Sequence, residues 1–138
     1  MKLYDINGNL QSKNVGKFKI KWNKKSRSKI QFTVKQFLKP FWKNQRVFEE
    51  FPVYGTLMKV DILNATNLIA IEVQGKQHNE FNEFFHGGSR MNFLRSIKRD
   101  QEKNEWLSLN GFNLIEINED EIKELSKEFF FKKFNLKL

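Results

Sequence analysis

The chain has 138 residues, enough for one domain that buries roughly two thirds of its unfolded surface. It contains no cysteine, which excludes disulfides and thiolate zinc sites and fits a reducing compartment, so we expect a cytoplasmic location, in a host cell if the protein is viral. No apolar stretch resembles a signal peptide or approaches the roughly 20 residues of a membrane span, and a soluble protein without membrane contact is expected.

The net charge of +9 is concentrated near the N-terminus. Residues 1–48 hold 13 Lys or Arg and one acid, whereas residues 49–138 hold 12 Lys or Arg and 15 acids. Such a field attracts polyanions, of which nucleic acid is the commonest. We therefore predict a basic N-terminal arm, residues 1–27, that contacts nucleic acid, with a merely solvated basic surface as the alternative. The predicted contacts are Lys19, Lys21, Lys24, Lys25, Arg27 and Lys29.

The first predicted helix begins at about Lys29, with Ser28 as its N-cap. Pro40 is expected to end or kink it. Apolar residues at helical spacing predict its buried face: Ile30, Val34, Phe37, Leu38 and Phe41.

Three strands are predicted next, in "RVFEEFPVY", "TLMKVDIL" and "LIAIEVQ". The short turn "NATN" should join the last two as a hairpin. A polar segment up to Gly88 is long enough for a functional loop. A helix over about 89–109, a strand in "FNLIEI" and a helix over "EDEIKELSKEFFFKKF" complete the order. The fold class is α/β (α+β), with a mixed central sheet of about four strands flanked by helices.

Two acids on the predicted hairpin are candidates for a metal site. If Leu63 pairs with Leu68, Asp61 and Glu72 lie diagonally on one face with Cβ atoms roughly 7 Å apart, and the opposite, apolar face is the buried one. Mg²⁺ is usually bound by one or two carboxylates together with waters and phosphates. The alternative is a salt bridge between Lys59 and Glu72, with Asp61 solvated.

The stretch "VDILNATNLIAIEVQGKQH", followed by "RDQEKNEWLSLNGFNLIEI", resembles the core of the PD-(D/E)xK nuclease superfamily. Within that superfamily it is most similar to the branch around the very-short-patch-repair endonucleases, over roughly residues 28–125. The resemblance implies a restriction-endonuclease-like domain, here residues 28–138. It also implies a Mg²⁺-dependent DNA endonuclease, with Mn²⁺ as a plausible substitute ion and DNA as the partner.

The resemblance also implies roles for individual residues. Asp61 and Glu72 would hold the metal, and Gln74 stands where the family often has a lysine that positions water or phosphate. His78 would be a general base or contact an ion-bound water, or it is simply a loop histidine. Asp100 and Lys103 match an acid and a basic residue on the family's next helix, with an ion pair on the helix surface as the alternative.

The sequence departs from the family pattern in two ways. No acid occurs between Asp5 and Glu49, although the family often supplies one from its first helix. Gln74 replaces the lysine, which leaves Lys76 as a candidate cation. Glu49 or Glu50, on the first strand, would substitute for the missing acid. Alternatively, Gln31 or Gln36 on the first helix would support the site.

One active site cuts one strand, so the chain would nick DNA or pair as a homodimer to cut both strands. Branched DNA such as a Holliday junction is favoured as substrate over a mismatch or a homing-type site. The alternative function is a non-catalytic nucleic-acid-binding module of a phage or replication assembly, with a decayed nuclease site. A weaker alternative is a protein-interaction role for "EFFFKKF", which we interpret instead as an amphipathic packing helix.

Overall fold

A computed structural model describes residues 1–75 and 90–138. Two 3₁₀ turns, Gly16–Phe18 and Glu119–Glu124, accompany the helices and strands. In chain order the elements are β1 Lys2–Tyr4, β2 Leu10–Ser12, α1 Lys29–Trp42, β3 Val47–Pro52, β4 Lys59–Asn64, β5 Ile69–Gln74, α2 Arg90–Leu109, β6 Asn113–Asn118 and α3 Lys127–Phe134.

The central sheet has the strand order β3-β4-β5-β6. The first three strands are antiparallel neighbours, and β6 runs parallel to β5. A parallel pair needs a long crossover, and α2 lies within it. The predicted mixed sheet of four strands flanked by helices is therefore confirmed. No helix in the described part of the chain is long and apolar enough to span a membrane.

Both faces of the sheet are buried, each in its own apolar cluster. The first cluster joins the β1–β2 hairpin and α2 to one face, with Trp106 of α2 buried in it. The second joins α1 and α3 to the other face, with Leu38 and Phe130 in contact with the sheet. The prediction of a single apolar face is therefore wrong, and Val60 packs in the first cluster whereas Ile62 packs in the second.

Helix α1 begins as predicted, because the Ser28 side chain accepts a hydrogen bond from the backbone N–H of Gln31. Pro40 lies inside the helix and does not end it. The buried face is rotated from the predicted one: Ile30, Phe37 and Phe41 are only half-buried. The buried residues of the helix are Gln31, Val34, Lys35, Leu38 and Trp42.

The predicted C-terminal helix is wrong as a single element. The acidic stretch forms the 3₁₀ turn Glu119–Glu124, and a new helix, α3, begins after it. The Ser126 side chain accepts a hydrogen bond from Phe129 N–H, which supplies an N-cap in the middle of the predicted helix.

The first 27 residues lie against the sheet. Leu3 and Val15 belong to the first cluster and Ile20 to the second, while Lys19 forms an antiparallel bridge with Phe48 of β3. The basic segment between Ile20 and α1 is therefore held close to β3.

Candidate functional site

The candidate site lies where β4 and β5 stop pairing through their backbones. Backbone pairing runs from Asn64↔Ile69 to Ile62↔Ile71, two positions away from the predicted register. The turn is Ala65–Leu68 rather than "NATN", with Leu68 in the left-handed region. Continued by one residue, this register sets Asp61 directly opposite Glu72, so the predicted diagonal arrangement is wrong.

Each of these two carboxylates takes a backbone N–H of the other strand. Glu72 Oε2 accepts from Asp61 N–H at 2.9 Å, and Asp61 Oδ2 accepts from Val73 N–H at 2.9 Å. The two acidic residues are 5% and 7% exposed. We call Asp61 and Glu72 the acidic pair.

The electrostatics of the acidic pair are unfavourable to two full negative charges. Burial, followed by the negative charge of Glu72, raises the pKa of Asp61 to about 7. The Val73 hydrogen bond and Arg27 oppose this shift, and the charge of Glu50 adds to it. Asp61 therefore holds a proton over part of the neutral pH range unless another cation is present.

Two basic residues from other elements contact the acidic pair. Lys103 of α2 forms an ion pair and hydrogen bond with Glu72 Oε1. Arg27 reaches Asp61 Oδ1 at 3.4 Å and Glu50 at 3.8 Å. The cation on Glu72 is thus Lys103 and not the cross-strand Lys59. Lys103 contacts Glu72 and not Asp100 in the observed ion pair, which differs from the alternative of an Asp100–Lys103 pair on the helix surface.

Glu49 and Glu50 of β3 lie beside the site in different roles. Gln31 Nε2 donates to Glu49 at 2.9 Å and to Glu50 at 3.2 Å, so both acids point towards α1. The φ of +52° at Glu50 breaks the strand alternation and turns Phe51 to the same cluster as Phe48. Glu49 and Phe51 therefore lie on different sides of the sheet, although regular strand alternation would set them on the same face.

Glu49 belongs to a set of polar groups that we call the compensated cluster, Ser26, Gln31, Lys35 and Glu49. Lys35 is fully buried, and its Nζ donates to Glu49 at 2.9 Å and to the Lys24 carbonyl at 2.6 Å. Ser26 donates to Glu49 at 2.6 Å. Of the two candidate supporting acids, Glu50 is the one whose charge acts on Asp61.

The acidic pair opens into a cleft of about 650 Å³ between the β3–β4 loop and α2. The wall on β4 and β5 includes Lys59 and Gln74, and the wall on α2 includes Arg99, Asp100 and Lys103. Polar groups and cations thus surround the buried acidic pair. Such a lining is suited to an anionic ligand if a cation lies between the ligand and the two carboxylates.

The structure brings some predicted residues together and leaves others apart. Gln74 and Asp100 line the cleft. Gln36 does not, because its Nε2 donates to the Trp22 carbonyl at 2.5 Å. Lys76 and His78 lie outside the described residues. Among the predicted nucleic-acid contacts, Arg27 is the one engaged with the acids of the site, and the others are exposed on the surface: Lys19, Lys21, Lys24, Lys25 and Lys29.

The acidic pair fits a hard divalent cation by its chemistry. It offers carboxylate oxygens on two adjacent strands, and burial followed by the charge of Glu72 raises the pKa of Asp61, a cost that a bound cation would offset. Within residues 1–75 and 90–138 there is no cluster of three or more His, Cys, Asp or Glu placed to hold a metal. A metal bound by the described residues would therefore rest on two carboxylates plus waters or phosphate oxygens.

Sequence reasoning missed the buried Lys35 and the position of Arg27 over the acids. Lys35 follows Val34 and precedes Leu38 at the spacing of the buried face, which is the signal that could have revealed it. No local pattern reveals Arg27, since it reaches the site from a segment 34 residues away from Asp61.

Comparison with known proteins gives one informative match. The chain is 35% identical over 81 residues to the uncharacterized protein 033L of Invertebrate iridescent virus 3. The match spans 59% of this chain and 41% of the viral protein. No family model and no solved structure matches the chain.

Proposed function

We propose that the protein is a Mg²⁺-dependent DNA endonuclease that hydrolyses phosphodiester bonds at the acidic pair. The observation that carries the proposal is the buried pairing of Asp61 with Glu72 at the base of a cation-lined cleft. Two close carboxylates with a raised pKa are unfavourable in the absence of a cation, whereas they are suited to binding a hard divalent ion. The resemblance to PD-(D/E)xK nucleases supports the same assignment.

Asp61 and Glu72 would hold the ion, which when bound lowers the pKa of a water and offsets charge on a phosphodiester. Lys103 fixes the orientation of Glu72 through its ion pair. Gln74 lies on the same strand as Glu72 and lines the cleft, where it would orient a water or a phosphate oxygen. His78 keeps the role that the resemblance implies, and Lys76 stays the candidate cation in place of the missing lysine.

Arg27 and Arg99 lie on the cleft lining, where they would meet the phosphates of one DNA strand. A single cleft of this kind nicks one strand. Two copies of the chain would be needed to cut both strands. Branched DNA, mismatched DNA and a specific duplex site are the substrates to compare.

The decisive experiment measures cleavage of labelled linear, mismatched and four-way-junction DNA with Mg²⁺ or EDTA. Asp61→Asn and Glu72→Gln keep the shape of each side chain, and we expect each to slow cleavage by at least about a hundredfold. Asp120→Asn, at an exposed acid on the 3₁₀ turn, is the matched control and should cut like the wild type. Cleavage that survives EDTA or both site variants would refute the proposal.

DNA binding is predicted to depend on the exposed lysines before α1. Replacing Lys21, Lys24 and Lys25 with alanine should weaken binding and lower the slope of log affinity against log salt by about 0.9 for each phosphate that the variant no longer neutralises. Lys123, Lys132 and Lys137 are exposed near the C-terminus and provide the matched triple control. Binding that is unchanged between about 50 and 200 mM salt would rule out this surface as the DNA contact.

A non-catalytic nucleic-acid-binding module is the second candidate. It is favoured by the contacts of Lys103 with Glu72 and Arg27 with Asp61, which supply positive charge to the acids from within the chain. Salt-sensitive DNA binding without Mg²⁺-dependent cleavage, unaffected by Asp61→Asn, would establish it.

A further inference from the structure

Leu57, in the loop between β3 and β4, is fully exposed. Its relative exposure is 100%, whereas the other exposed large apolar residues in the described part of the chain reach at most 59%. A leucine in contact with water on all sides gains stability if a partner covers it.

The loop presents Leu57 on a fixed backbone. Val53 N–H donates to the Met58 carbonyl at 2.9 Å, which closes the loop around Leu57. The Thr56 hydroxyl donates to the Val53 carbonyl at 2.8 Å and accepts from Met58 N–H at 3.0 Å. Gly55 has a φ of +97°, and a Cβ there would come within 2.5 Å of Ile6. The loop is therefore held from inside by Thr56 and from outside by the N-terminal hairpin.

Leu57 lines the same cleft as the acidic pair. It precedes Asp61 by four positions in the chain, so their Cα atoms are no more than about 14 Å apart. Base steps along a DNA strand rise about 3.4 Å each. A phosphate at Asp61 would consequently lie within about four base steps of Leu57.

The chemistry around Leu57 suits a base step rather than an apolar protein surface. Lys59 is exposed two residues further along, and Arg99 and Lys103 lie on the opposite wall of the cleft. Cations hold a nucleic-acid backbone, and an apolar side chain beside them can then enter between stacked bases.

We propose that Leu57 is a wedge that inserts between adjacent base pairs of duplex DNA and directs the protein to easily unstacked steps. The inference rests on the proposed function in so far as DNA occupies the cleft. An inserted apolar side chain partly unstacks a step and kinks the duplex. The step that deforms most easily in fully paired DNA is a pyrimidine–purine step such as TA, and an A-tract is stiff. Leu57 therefore gives specificity for a DNA shape without contacting a base edge.

The test uses two fully paired duplexes that differ only at the centre, where one has a TA step and the other continues an A-tract. A 2-aminopurine in the central step reports unstacking by its fluorescence, measured in EDTA so that no cleavage is required. The same duplexes, end-labelled, are then incubated with Mg²⁺ to map the cuts. The proteins are the wild type, Leu57→Ala and Leu68→Ala, the last being an exposed turn leucine outside the cleft lining.

We expect the wild type and Leu68→Ala to raise the fluorescence at the TA step and to prefer that duplex by about tenfold. Leu57→Ala should lose both effects, and its melting temperature should match that of the wild type because the side chain contributes nothing to the core. Cuts should fall within about four nucleotides of the TA step.

The outcomes separate this inference from the nuclease proposal. Cleavage with no fluorescence change, or a Leu57→Ala variant that behaves like the wild type, overturns the wedge and leaves the nuclease intact. A Leu57-dependent fluorescence rise supports the wedge whether or not these duplexes are cut, because the nuclease proposal is decided separately on linear, mismatched and four-way-junction DNA. Failure of the wild type to bind either duplex overturns the wedge.

Discussion

The protein buries two neighbouring sets of charged groups. In one set a carboxylate meets a buried cation, and in the other set two carboxylates face each other. In the compensated cluster, Glu49 meets the buried ammonium of Lys35 together with Ser26 and Gln31. In the acidic pair, burial and the negative charge of Glu72 on the neighbouring strand raise the pKa of Asp61 to about 7. The two sets meet at adjacent strands, because β3 carries Glu49 and its direct neighbour β4 carries Asp61.

This contrast separates the charges that maintain the fold from the charges that remain open to a ligand. A buried carboxylate with a full set of partners has nothing left to offer a ligand. A buried carboxylate facing another acid gains from any cation that arrives, so it is placed where ligand binding and stability are linked. The first set organises α1 against β3, and the second forms the base of the cleft.

The largest effect should come from breaking the compensated cluster. Lys35→Met keeps the buried stem but leaves Glu49 without a cation, and we expect a loss of about 3–5 kcal/mol in the free energy of unfolding. Urea unfolding measures it. Lys35→Met combined with Glu49→Gln should recover part of the loss, and Lys39→Met, half-buried beside Asn23, should change stability by less than about 1 kcal/mol. An unchanged midpoint for Lys35→Met would show that Lys35 is not required.

The acidic pair should instead make stability depend on pH. The folded pKa of Asp61, raised to about 7, exceeds its value of 3.8 in an unfolded chain, so the folded state binds the extra proton between these limits. The stability that this proton contributes is complete below about pH 4 and is lost as the pH rises through about 7. Relative to Asp61→Asn, the wild type should lose on the order of a few kcal/mol between about pH 4 and 8.

Parallel unfolding curves for the wild type and Asp61→Asn over this pH range would contradict the raised pKa. Asp120→Asn, which alters an exposed acid, should follow the wild type at every pH and serves as the matched control.

A smaller effect is expected from Mg²⁺ at about pH 8, where Asp61 is mostly ionised. At a concentration near 100 times its dissociation constant, an ion bound only by the folded state adds about 2.7 kcal/mol. Thermal unfolding should show this stabilisation in the wild type and much less of it in Asp61→Asn. An equal shift in both proteins, or a shift reproduced by NaCl at the same ionic strength, would argue against a metal on the acidic pair.

Much of the fold follows from local signals. Ser28 capped the predicted first helix, and β-branched runs marked β4, β5 and β6 close to their observed bounds. Registers and helix phases were harder to predict, because they depend on contacts distant in sequence. A turn shifted by one residue changed the pairing of Asp61 from a diagonal to a directly opposed Glu72.

The components of the site were predictable, but their contacts were not. Asp61 and Glu72 were identified from their shared face on the predicted hairpin and from the family resemblance. The contact of Arg27 with Asp61 depends on how the segment before α1 folds over β3, which no hydrophobic period describes. The positive φ of Glu50 is equally hidden, since glutamate has no preference for the left-handed region.

The segment before α1 is already organised in the free protein. Side chains of α1 hold its backbone: Lys35 takes the carbonyl of Lys24 and Gln36 takes that of Trp22. A disordered basic tail loses conformational entropy each time it settles on a polyanion. This segment has already lost that entropy during folding. Its lysines would therefore dock on a polyanion as a preformed surface, at a rate set mainly by diffusion and long-range electrostatic attraction.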